Sequence, residues 1–320
     1  MKISVVIPTY RRPQLLCQCL SALRAQSFEK TEYEIIVVSD GPDRSTEEFV
    51  RVFKNENPLR VRFLSTARKR GPAAARNIGW LSAKGTLIAF TDDDTIPDKD
   101  WLLNIWKGYQ GEDLVAFTGR VIVPVSTPPT DYEMNILNLE TAEFVTANCT
   151  CTKKALLKTG GFDERFRIAW REDSDLHFKL LENDIPIMKI NAIVIHPVRK
   201  APWGVSISEQ KKGIFNALLY KKYPKLYRQR IKPAPMWNYY LMIIAFLMVP
   251  FALLLNLPLL SQIAGSLWLL LVGIFAWKRL SATSRSFDHV MEMIVTSVLI
   301  PFLSVYWQHY GAWKYRVLFL

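Results

Sequence analysis

Cysteine is scarce in this sequence, and low-complexity tracts are missing from it. The four cysteines stand at positions 17, 19, 149 and 151, too few and too closely paired for a disulfide framework, and neither pair has zinc-site spacing. We therefore expect a reducing compartment. Aromatic residues make up 12% and charged residues 22% of the 320 residues, which excludes a disordered chain, a collagen and a long coiled coil.

Acidic residues are nearly missing from the stretch where basic residues concentrate. Between Arg199 and Lys232 ten lysines and arginines accompany a single acid, Glu209. Since this run directly precedes an apolar stretch, it predicts contact with anionic lipid headgroups, and a solvated surface helix is the alternative. Nucleic acid is not an expected partner.

No charged side chain occurs between Lys232 and Lys278. That length predicts two transmembrane spans, at about 238–255 and 258–277, joined by a turn at 256–258. Because basic residues flank both outer ends and the turn has none, we expect a multi-pass protein of the cell membrane with its N-terminal domain in the cytoplasm. A third apolar segment, 294–307, contains Pro301 and is a span, a re-entrant segment or an interfacial helix.

Short apolar runs alternate with helical patterns in the first 200 residues. The runs 3–7, 34–38, 61–64 and 87–90 predict strands, and 15–23 and 73–83 predict helices. This order indicates βαβ units, an α/β fold and a mostly parallel sheet, with ligands beyond the carboxyl ends of the strands. The predicted domains are 1–200, a basic juxtamembrane segment 201–235, and a membrane region 236–320.

Three consecutive aspartates, Asp92, Asp93 and Asp94, follow the strand that ends at Phe90. Their charges repel one another, and Mg²⁺ or Mn²⁺ bridging to a phosphate ligand would relieve the repulsion. An acidic turn without a ligand is the alternative. No Walker loop and no GxGxxG follow the first strand, so ATPase and dinucleotide-binding functions lose their main support.

Six motifs in this order resemble the landmarks of the family 2 glycosyltransferases. They are ISVVIPTY at 3–10, VVSDG at 37–41, GPAAARNIG at 71–79, FTDDD at 90–94, GGFDERF at 160–166 and REDSDL at 171–176. The resemblance covers roughly residues 1–200 and implies a GT-A fold, which is Rossmann-like. It also implies a nucleotide-sugar donor and Mg²⁺ or Mn²⁺ as cofactor.

The resemblance further implies roles for individual residues around the donor. The implied donor-binding residues are Pro8, Thr9, Tyr10, Asp40, Arg76, Asn77, Asp92 and Asp93. Asp94 is the implied direct metal ligand, Asp92 lies nearer the ribose, and Asp93 fills the variable middle position. Ser39 stands where the family often has another acid, a departure that points to a different nucleotide.

The pair Glu172 and Asp173 falls where the resemblance places the catalytic base, and we choose Asp173. Transfer with inversion needs one carboxylate to take the proton of the acceptor hydroxyl. His196, at the end of an apolar run, is the candidate third metal ligand with Asp92 and Asp94. The candidate acceptor-site residues are Asn148, Trp170 and Glu172.

The sequence thus predicts an enzyme that moves one sugar to a lipid-linked or membrane-proximal acceptor. A processive polysaccharide synthase is the first alternative, although its expected QxxRW motif is missing. A nucleotidyltransferase would not require the GGFDE and ED motifs. A non-catalytic, membrane-bound nucleotide-sugar binding protein would tolerate neutral substitutions at Asp94 and Asp173.

Overall fold

The first strand shows how the chain builds its sheet. In the computed structural model, which describes residues 1–319, the strand Ile3–Thr9 is buried along its whole length. A continuous apolar run buried on both faces is typical of a central parallel strand. This strand indeed lies between two parallel partners, which begin at Tyr33 and Leu87. The predicted run 3–7 is confirmed and extends to Thr9.

Eight strands form a single sheet in the described residues. They are β1 (Ile3–Thr9), β2 (Tyr33–Ser39), β3 (Val61–Ser65), β4 (Leu87–Phe90), β5 (Ile96–Pro97), β6 (Ala116–Ile122), β7 (Cys149–Thr152) and β8 (Ile187–Ile195). Their order is β3-β2-β1-β4-β7-β6-β8-β5. Strands β3, β2, β1 and β4 are parallel, whereas β7 and β5 run antiparallel to their neighbours. The predicted α/β class with a mostly parallel sheet is confirmed, with a mixed half that the sequence did not predict.

Thirteen α-helices accompany this sheet in residues 1–319. They are α1 (Pro13–Arg24), α2 (Arg44–Glu56), α3 (Pro72–Ser82), α4 (Trp101–Gly108), α5 (Asp131–Leu137), α6 (Lys153–Thr159), α7 (Glu172–Glu182), α8 (Val205–Glu209), α9 (Ile214–Lys222), α10 (Pro224–Arg230), α11 (Trp237–Leu254), α12 (Pro258–Leu280) and α13 (Phe287–Tyr315).

Helices cover both faces of the sheet. Side chains along a strand alternate between faces, and β1 divides its apolar residues accordingly. Ile3, Val5 and Ile7 pack in a core with α1 and α4. Val6 belongs to a second core that includes residues of α3, α6 and α7, among them Leu176. The helices that carry functional side chains are therefore fixed on a rigid sheet.

The chain divides into two compact units. The first comprises Met1–Pro124 and Leu137–Val198, and the second comprises Val125–Ile136 and Arg199–Leu320. The second unit starts, after residue 198, close to the boundary predicted at residue 200. It also takes in residues 125–136, which the sequence had placed in the N-terminal domain.

Three helices of the second unit are long and apolar enough to cross a membrane, namely α11, α12 and α13. The first two match the spans predicted at about 238–255 and 258–277. The third is much longer than the predicted apolar segment 294–307, since it has 29 residues. Membrane association of the chain follows from the length and composition of these helices.

One arginine connects several elements of the second unit. The guanidinium of Arg279, at the end of α12, lies 2.7 Å from Asp131 Oδ2 on α5. It also donates hydrogen bonds to Thr296 Oγ1 (2.7 Å) and Ser297 Oγ (3.1 Å) of α13. A largely buried cation with this many acceptors fixes α5, α12 and α13 together.

Candidate active site

The carboxyl ends of three parallel strands meet at one edge of the sheet. In the pairing register Thr9 of β1 lies beside Ser39 of β2, and Val6 lies beside Phe90, the last residue of β4. The segments that follow these strands begin with Tyr10, Asp40 and Thr91. The structure therefore brings the predicted donor segments together, as expected for ligand binding at this edge of an open sheet.

Asp92, Asp94 and His196 form a cluster at this edge. Each offers one ligand atom, and the three atoms lie within 4.8 Å of one another. His196 directly follows β8, and its backbone N–H donates to the carbonyl of Ile122 (2.8 Å). Its Nδ1 is buried and makes no hydrogen bond within residues 1–319, while its Nε2 lies 3.8 Å from Asp94 Oδ1.

This donor set fits a divalent cation. Two carboxylates and one imidazole suit Mn²⁺ well and Mg²⁺ adequately, and remaining positions would be left for phosphate oxygens and water. A cation would also give a partner to the buried imidazole of His196, whose Nδ1 makes no hydrogen bond within residues 1–319. The three predicted metal ligands are thus near one another, and their function as ligands stays a prediction.

The middle aspartate of the triplet is held by the segment after β1. Asp93 is fully buried, and its Oδ2 accepts a hydrogen bond from Thr9 Oγ1 (2.7 Å). Burial raises the pKa of Asp93 to about 7, although the guanidinium of Arg12, 3.0 Å from Oδ1, opposes the rise. In this structure Asp93 fixes Thr9 and Arg12 at the edge of the sheet.

Arg12 is a functional candidate that the sequence interpretation missed. Besides its contact with Asp93, its Nη1 lies 3.8 Å from Asp94 Oδ2, and its side chain is partly exposed. A cation at this point can attract a diphosphate. The signal that could have identified it is the basic pair Arg11 and Arg12, one residue after the end of β1.

Arg76 bridges the two acidic motifs. It lies on α3, is buried, and reaches Asp92 Oδ1 with Nη2 (2.7 Å) and Glu172 Oε1 with Nη1 (3.0 Å). Burial alone would lower the pKa of Arg76, but these two carboxylates outweigh burial and raise it. A guanidinium has the planar shape to hold two carboxylates at once. The predicted donor residue Arg76 therefore serves here as a bridge.

Glu172 and Asp173 stand in the first turn of α7. Burial raises the pKa of Glu172 to about 7, in spite of the opposing charge of Arg76. Burial also raises the pKa of Asp173, and the hydrogen bond that its Oδ1 accepts from the backbone N–H of Ser174 (2.6 Å) opposes this rise. A carboxylate with a raised pKa takes up a proton more readily at neutral pH, which suits a general base.

Asp40 shapes the loop that follows β3. Its carboxylate accepts hydrogen bonds from the backbone N–H groups of Arg70 (2.7 Å) and Gly71 (2.9 Å). Gly71 has φ +103°, and a Cβ there would lie 2.6 Å from the backbone oxygen of Arg167, so only glycine fits. Asp40 thereby sets the start of α3 and the position of Arg76.

A cavity of about 400 Å³ opens in the same loop. Two basic side chains contact the ring of Tyr10. Lys69 Nζ, in this loop, lies 4.6 Å from the ring centroid, and the guanidinium of Arg11, after β1, lies 5.1 Å from it. Cationic groups beside an aromatic ring can hold an anionic ligand that carries a flat base. The cavity is lined by Ser65, Thr66, Ala67, Arg68, Arg70 and Ile78.

The remaining predicted residues are Asn148, Asn77, Trp170 and Pro8. Asn148 is buried, and its amide bonds to the carbonyls of Arg120 and Ala192 and to Trp101 Nε1. These contacts use its hydrogen-bonding groups within the protein, and its role at the acceptor stays a prediction.

Asn77 likewise ties α3 to the Gly-Gly-Phe turn through both the N–H and the carbonyl of Phe162. Trp170 is half-buried, and the Arg171 guanidinium lies 4.6 Å from its ring centroid. Of the predicted acceptor residues, Trp170 and Glu172 lie within three residues of Asp173 in the sequence, whereas Asn148 is buried beside other strands of the sheet. Pro8 is a buried residue of β1, two positions before Tyr10.

Comparison with known proteins identifies the family. The model of glycosyl transferase family 2 matches residues 4–166, half of the chain and the region that carries the sheet edge described above. The chain belongs to glycosyl transferase family 2. This assignment confirms the resemblance to the family and the expectation of a glycosyltransferase, while the sixth motif, at 171–176, lies beyond the matched residues.

Two relatives show the level of sequence similarity. The glycosyltransferase AglE of Haloferax volcanii is 34% identical over 100 residues, which are 31% of this chain and 33% of that protein. The poly(ribitol-phosphate) beta-N-acetylglucosaminyltransferase TarS of Staphylococcus aureus is 35% identical over 102 residues, 32% of this chain and 18% of that protein. The alignments thus span a third or less of these relatives.

A solved structure shares the fold over nearly the whole chain. It is the mannosyltransferase PcManGT from Pyrobaculum calidifontis, in complex with GDP-Man and Mn²⁺. The TM-score is 0.59 at 16% identity, and the match covers 98% of this chain and 87% of that one. This similarity supports the GT-A-like fold.

Proposed function

We propose that the protein is a metal-dependent, inverting glycosyltransferase that moves one sugar from a nucleotide-sugar donor to a lipid-linked or membrane-proximal acceptor. The observation that carries this proposal is the connection, through Arg76, between Asp92 of the metal-ligand cluster and Glu172 beside Asp173. It supplies a cation site for the donor diphosphate and a carboxylate for the acceptor hydroxyl within one network.

The donor side of the site consists of cationic and metal-binding groups. Asp92, Asp94 and His196 would hold Mg²⁺ or Mn²⁺. When bound, the cation supplies positive charge that stabilises the departing diphosphate. Arg12 adds a second positive charge beside Asp94. The nucleotide base of the donor would lie near Tyr10 and the cavity after β3.

The acceptor side depends on Asp173. Its carboxylate takes the proton of the acceptor hydroxyl while that oxygen attacks the anomeric carbon and the bond to the diphosphate oxygen breaks. Glu172 is held by Arg76 and so fixes the first turn of α7 that carries Asp173. Attack from the side opposite the leaving group inverts the anomeric centre.

The membrane region supports an acceptor at the bilayer surface. Helices α11 and α12 are candidate spans, and basic residues flank their outer ends, which favours a cytoplasmic catalytic unit. The basic run 199–232 would contact anionic lipid headgroups. The similarity to a protein named as acting on poly(ribitol-phosphate) favours a cell-envelope acceptor that carries phosphate.

The decisive experiment measures the products of the full-length chain in lipid nanodiscs with Mn²⁺. The protein is given UDP-, GDP- and dTDP-sugars, with and without membrane lipid extract, and nucleotides are separated by chromatography. We expect a nucleoside diphosphate from one donor class, more of it with acceptor lipid, and none after chelation of the metal. Pyrophosphate would instead indicate a nucleotidyltransferase, and no product with any donor would indicate a binding protein.

Product length separates the proposed activity from that of a processive synthase. Mass spectrometry of the glycosylated acceptor should show the addition of one sugar, even with excess donor. A ladder of longer products would favour the processive alternative.

A further inference from the structure

Helix α13 runs beside a basic segment along most of its length. This segment, Val205–Lys222, comprises α8, a 3₁₀ turn at Gln210–Gly213 and α9. Just before it, the N–H of Gly204 donates to Glu292 Oε1 (2.7 Å), near the start of α13. Towards the other end, Lys221 Nζ donates to the carbonyl of Tyr315 (2.7 Å).

Contacts between these two points follow the same order along both elements. Lys211 Nζ lies 5.8 Å from the ring centroid of Trp307. A Cβ on Gly311 would lie 2.7 Å from the backbone oxygen of Ile214, so α13 and α9 approach closely there. If α13 crossed the hydrocarbon core, Lys211 and Lys221 would enter the core with it, at a high cost in free energy.

Two cations that contact α13 at points far apart along the helix belong to the same predicted side of the membrane. Arg279, which follows the second span, contacts Thr296, and Lys221, which precedes the first span, contacts Tyr315. The 19 residue steps from Thr296 to Tyr315 extend about 28 Å along a helix, nearly the thickness of the hydrocarbon core. A crossing α13 would therefore put Arg279 and Lys221 on opposite sides, although the hairpin α11–α12 keeps their flanks on one side.

The contacts of α13 with the hairpin agree with this argument. On α11 and just before it they involve Met236, Tyr240 and Phe246, which lie between the start and the middle of the helix and outside its last eight residues. Residue Phe246 meets Phe302, whereas Tyr240 meets His309, so the contact points do not progress along both helices as they would in parallel spans. Helix α13 crosses the half of the hairpin that carries the basic flanks.

One face of α13 is apolar and exposed, and the opposite face packs against protein. The buried face includes Met293, Ser297 and Gly311. The exposed residues recur at helical spacing and are typical of a helix that rests its apolar side in lipid. They are Phe287, Met291, Ile294, Val295, Leu299, Tyr306 and Trp313.

We propose that α13 lies in the plane of the membrane interface, with its exposed apolar face in the lipid headgroup and acyl boundary, and that the chain crosses the bilayer twice. The C-terminal residues then lie on the same side as the first unit. This inference rests on the hairpin crossing included in the proposed function, and it is independent of sugar transfer.

The first test maps sidedness in the full-length chain. Cys17 is the exposed native cysteine, so it reports the side of the first unit to a membrane-impermeant maleimide. In a Cys17→Ser background, Leu255→Cys reports the hairpin turn and Leu318→Cys reports the end of the chain, both at exposed positions. Labelling is compared in inverted and right-side-out vesicles.

We expect Cys17 and Leu318→Cys to react from one face and Leu255→Cys from the other. Reaction of Leu318→Cys from the face of Leu255→Cys would overturn the proposal and establish a third crossing. Reaction of all three from one face would overturn the hairpin crossing, and with it the two-crossing topology, without bearing on sugar transfer.

The second test measures depth with spin labels in nanodiscs. Labels at Ile294→Cys, Leu299→Cys and Tyr306→Cys sample α13, and labels at Ile263→Cys, Leu270→Cys and Ile274→Cys are matched controls on α12, all at exposed positions. Collision with oxygen and a water-soluble nickel complex gives the depth. We expect α13 labels at one shallow depth within about 5 Å and α12 labels spread over about 16 Å. A Leu299 label more than about 5 Å deeper than both the Ile294 and the Tyr306 labels would overturn the in-plane arrangement.

Discussion

Asp92 and Glu172 share one buried guanidinium, that of Arg76, which lies 2.7 Å from the first carboxylate and 3.0 Å from the second. These acids belong to two motifs that are far apart in the chain. Their common partner means that any movement of α7 relative to the turn after β4 would break an ion pair. The proposed cation site and the proposed base are thereby kept at a fixed separation.

Arg76→Met should destabilise the protein strongly. The variant leaves Asp92 and Glu172 without their cation, and removal of one partner of a buried ion pair costs about 3–5 kcal/mol in free energy of unfolding. Thermal denaturation of the full-length protein in detergent measures the loss. Arg51→Met, which removes an exposed ion pair with Glu48, is the control and should melt like the wild type. Equal melting of both variants would contradict the bridging role.

Asp173→Asn should lower kcat about 10²–10⁴-fold, because the amide cannot take the acceptor proton. Donor affinity should change little, since Asp173 is not in the cation cluster. Initial rates and donor binding by calorimetry give the two quantities. Asp184→Asn, at an exposed position after α7, should keep full activity. An Asp173→Asn enzyme with a normal kcat would remove the assignment of the base.

The rate should fall on the acid side at a pH above the usual carboxyl range, because burial raises the pKa of Asp173. Burial raises the pKa of Glu172 to about 7 and also raises that of Asp173. The pair therefore keeps a proton, and the base stays inactive, at pH values well above the usual carboxyl pKa. Glu172→Gln removes a neighbouring negative charge and should shift the acid limb of the pH–rate profile to lower pH. An acid limb below pH 5 in the wild type would contradict this expectation.

The same shift makes stability depend on pH with a definite sign. The folded state holds a proton on Glu172 up to about pH 7, whereas the unfolded chain loses it near the ordinary glutamate pKa of 4.5. The free energy of unfolding should therefore decrease as the pH rises through this window. Denaturant titrations at a series of pH values measure this contribution, which should be missing in Glu172→Gln.

Asp94→Ala and His196→Ala should each weaken Mn²⁺ binding. Residues that merely orient metal ligands change metal affinity about 10–100-fold, so loss of a ligand should cost at least as much. Calorimetry with Mn²⁺ alone tests this without any turnover. Asp113→Ala removes an exposed acid paired with Lys154 and serves as the control. Unchanged affinity in His196→Ala would exclude the histidine from the cluster.

Arg12→Gln should separate donor binding from metal binding. If its charge attracts the diphosphate, donor affinity should fall about 10-fold or more, as for loss of a charge-assisted hydrogen bond. Mn²⁺ alone should bind as well or better, because a positive charge next to Asp94 is gone. Arg24→Gln, on the last turn of α1, is the matched control. Weaker binding of Mn²⁺ in Arg12→Gln would contradict this role.

The parallel half of the sheet was predictable because β1, β2 and β4 are buried on both faces and so appear as continuous apolar runs. The mixed half was harder, since β6 and β8 contain polar residues and β8 pairs with strands distant in the chain. Pairing of this kind depends on tertiary packing rather than on local pattern.

Among the site residues, the motifs located Asp92, Asp94 and Asp173, but they did not reveal which side chains hold one another. Arg12 contacts the aspartates because α1 begins immediately after it, and Asn148 turns to backbone carbonyls that only the folded sheet supplies. Both facts depend on the path of the chain in space.

The network around Arg279 affects how the protein can be cut. Residues 125–136 belong to the second unit, so the polypeptide passes between the two units three times instead of once. A fragment that stops at residue 200 would retain Asp131 and lose the arginine that neutralises it. Such a truncation would leave residues 125–136 without the unit they pack in. To obtain the first unit as a stable fragment, residues 125–136 would have to be replaced as well as the C-terminal helices deleted.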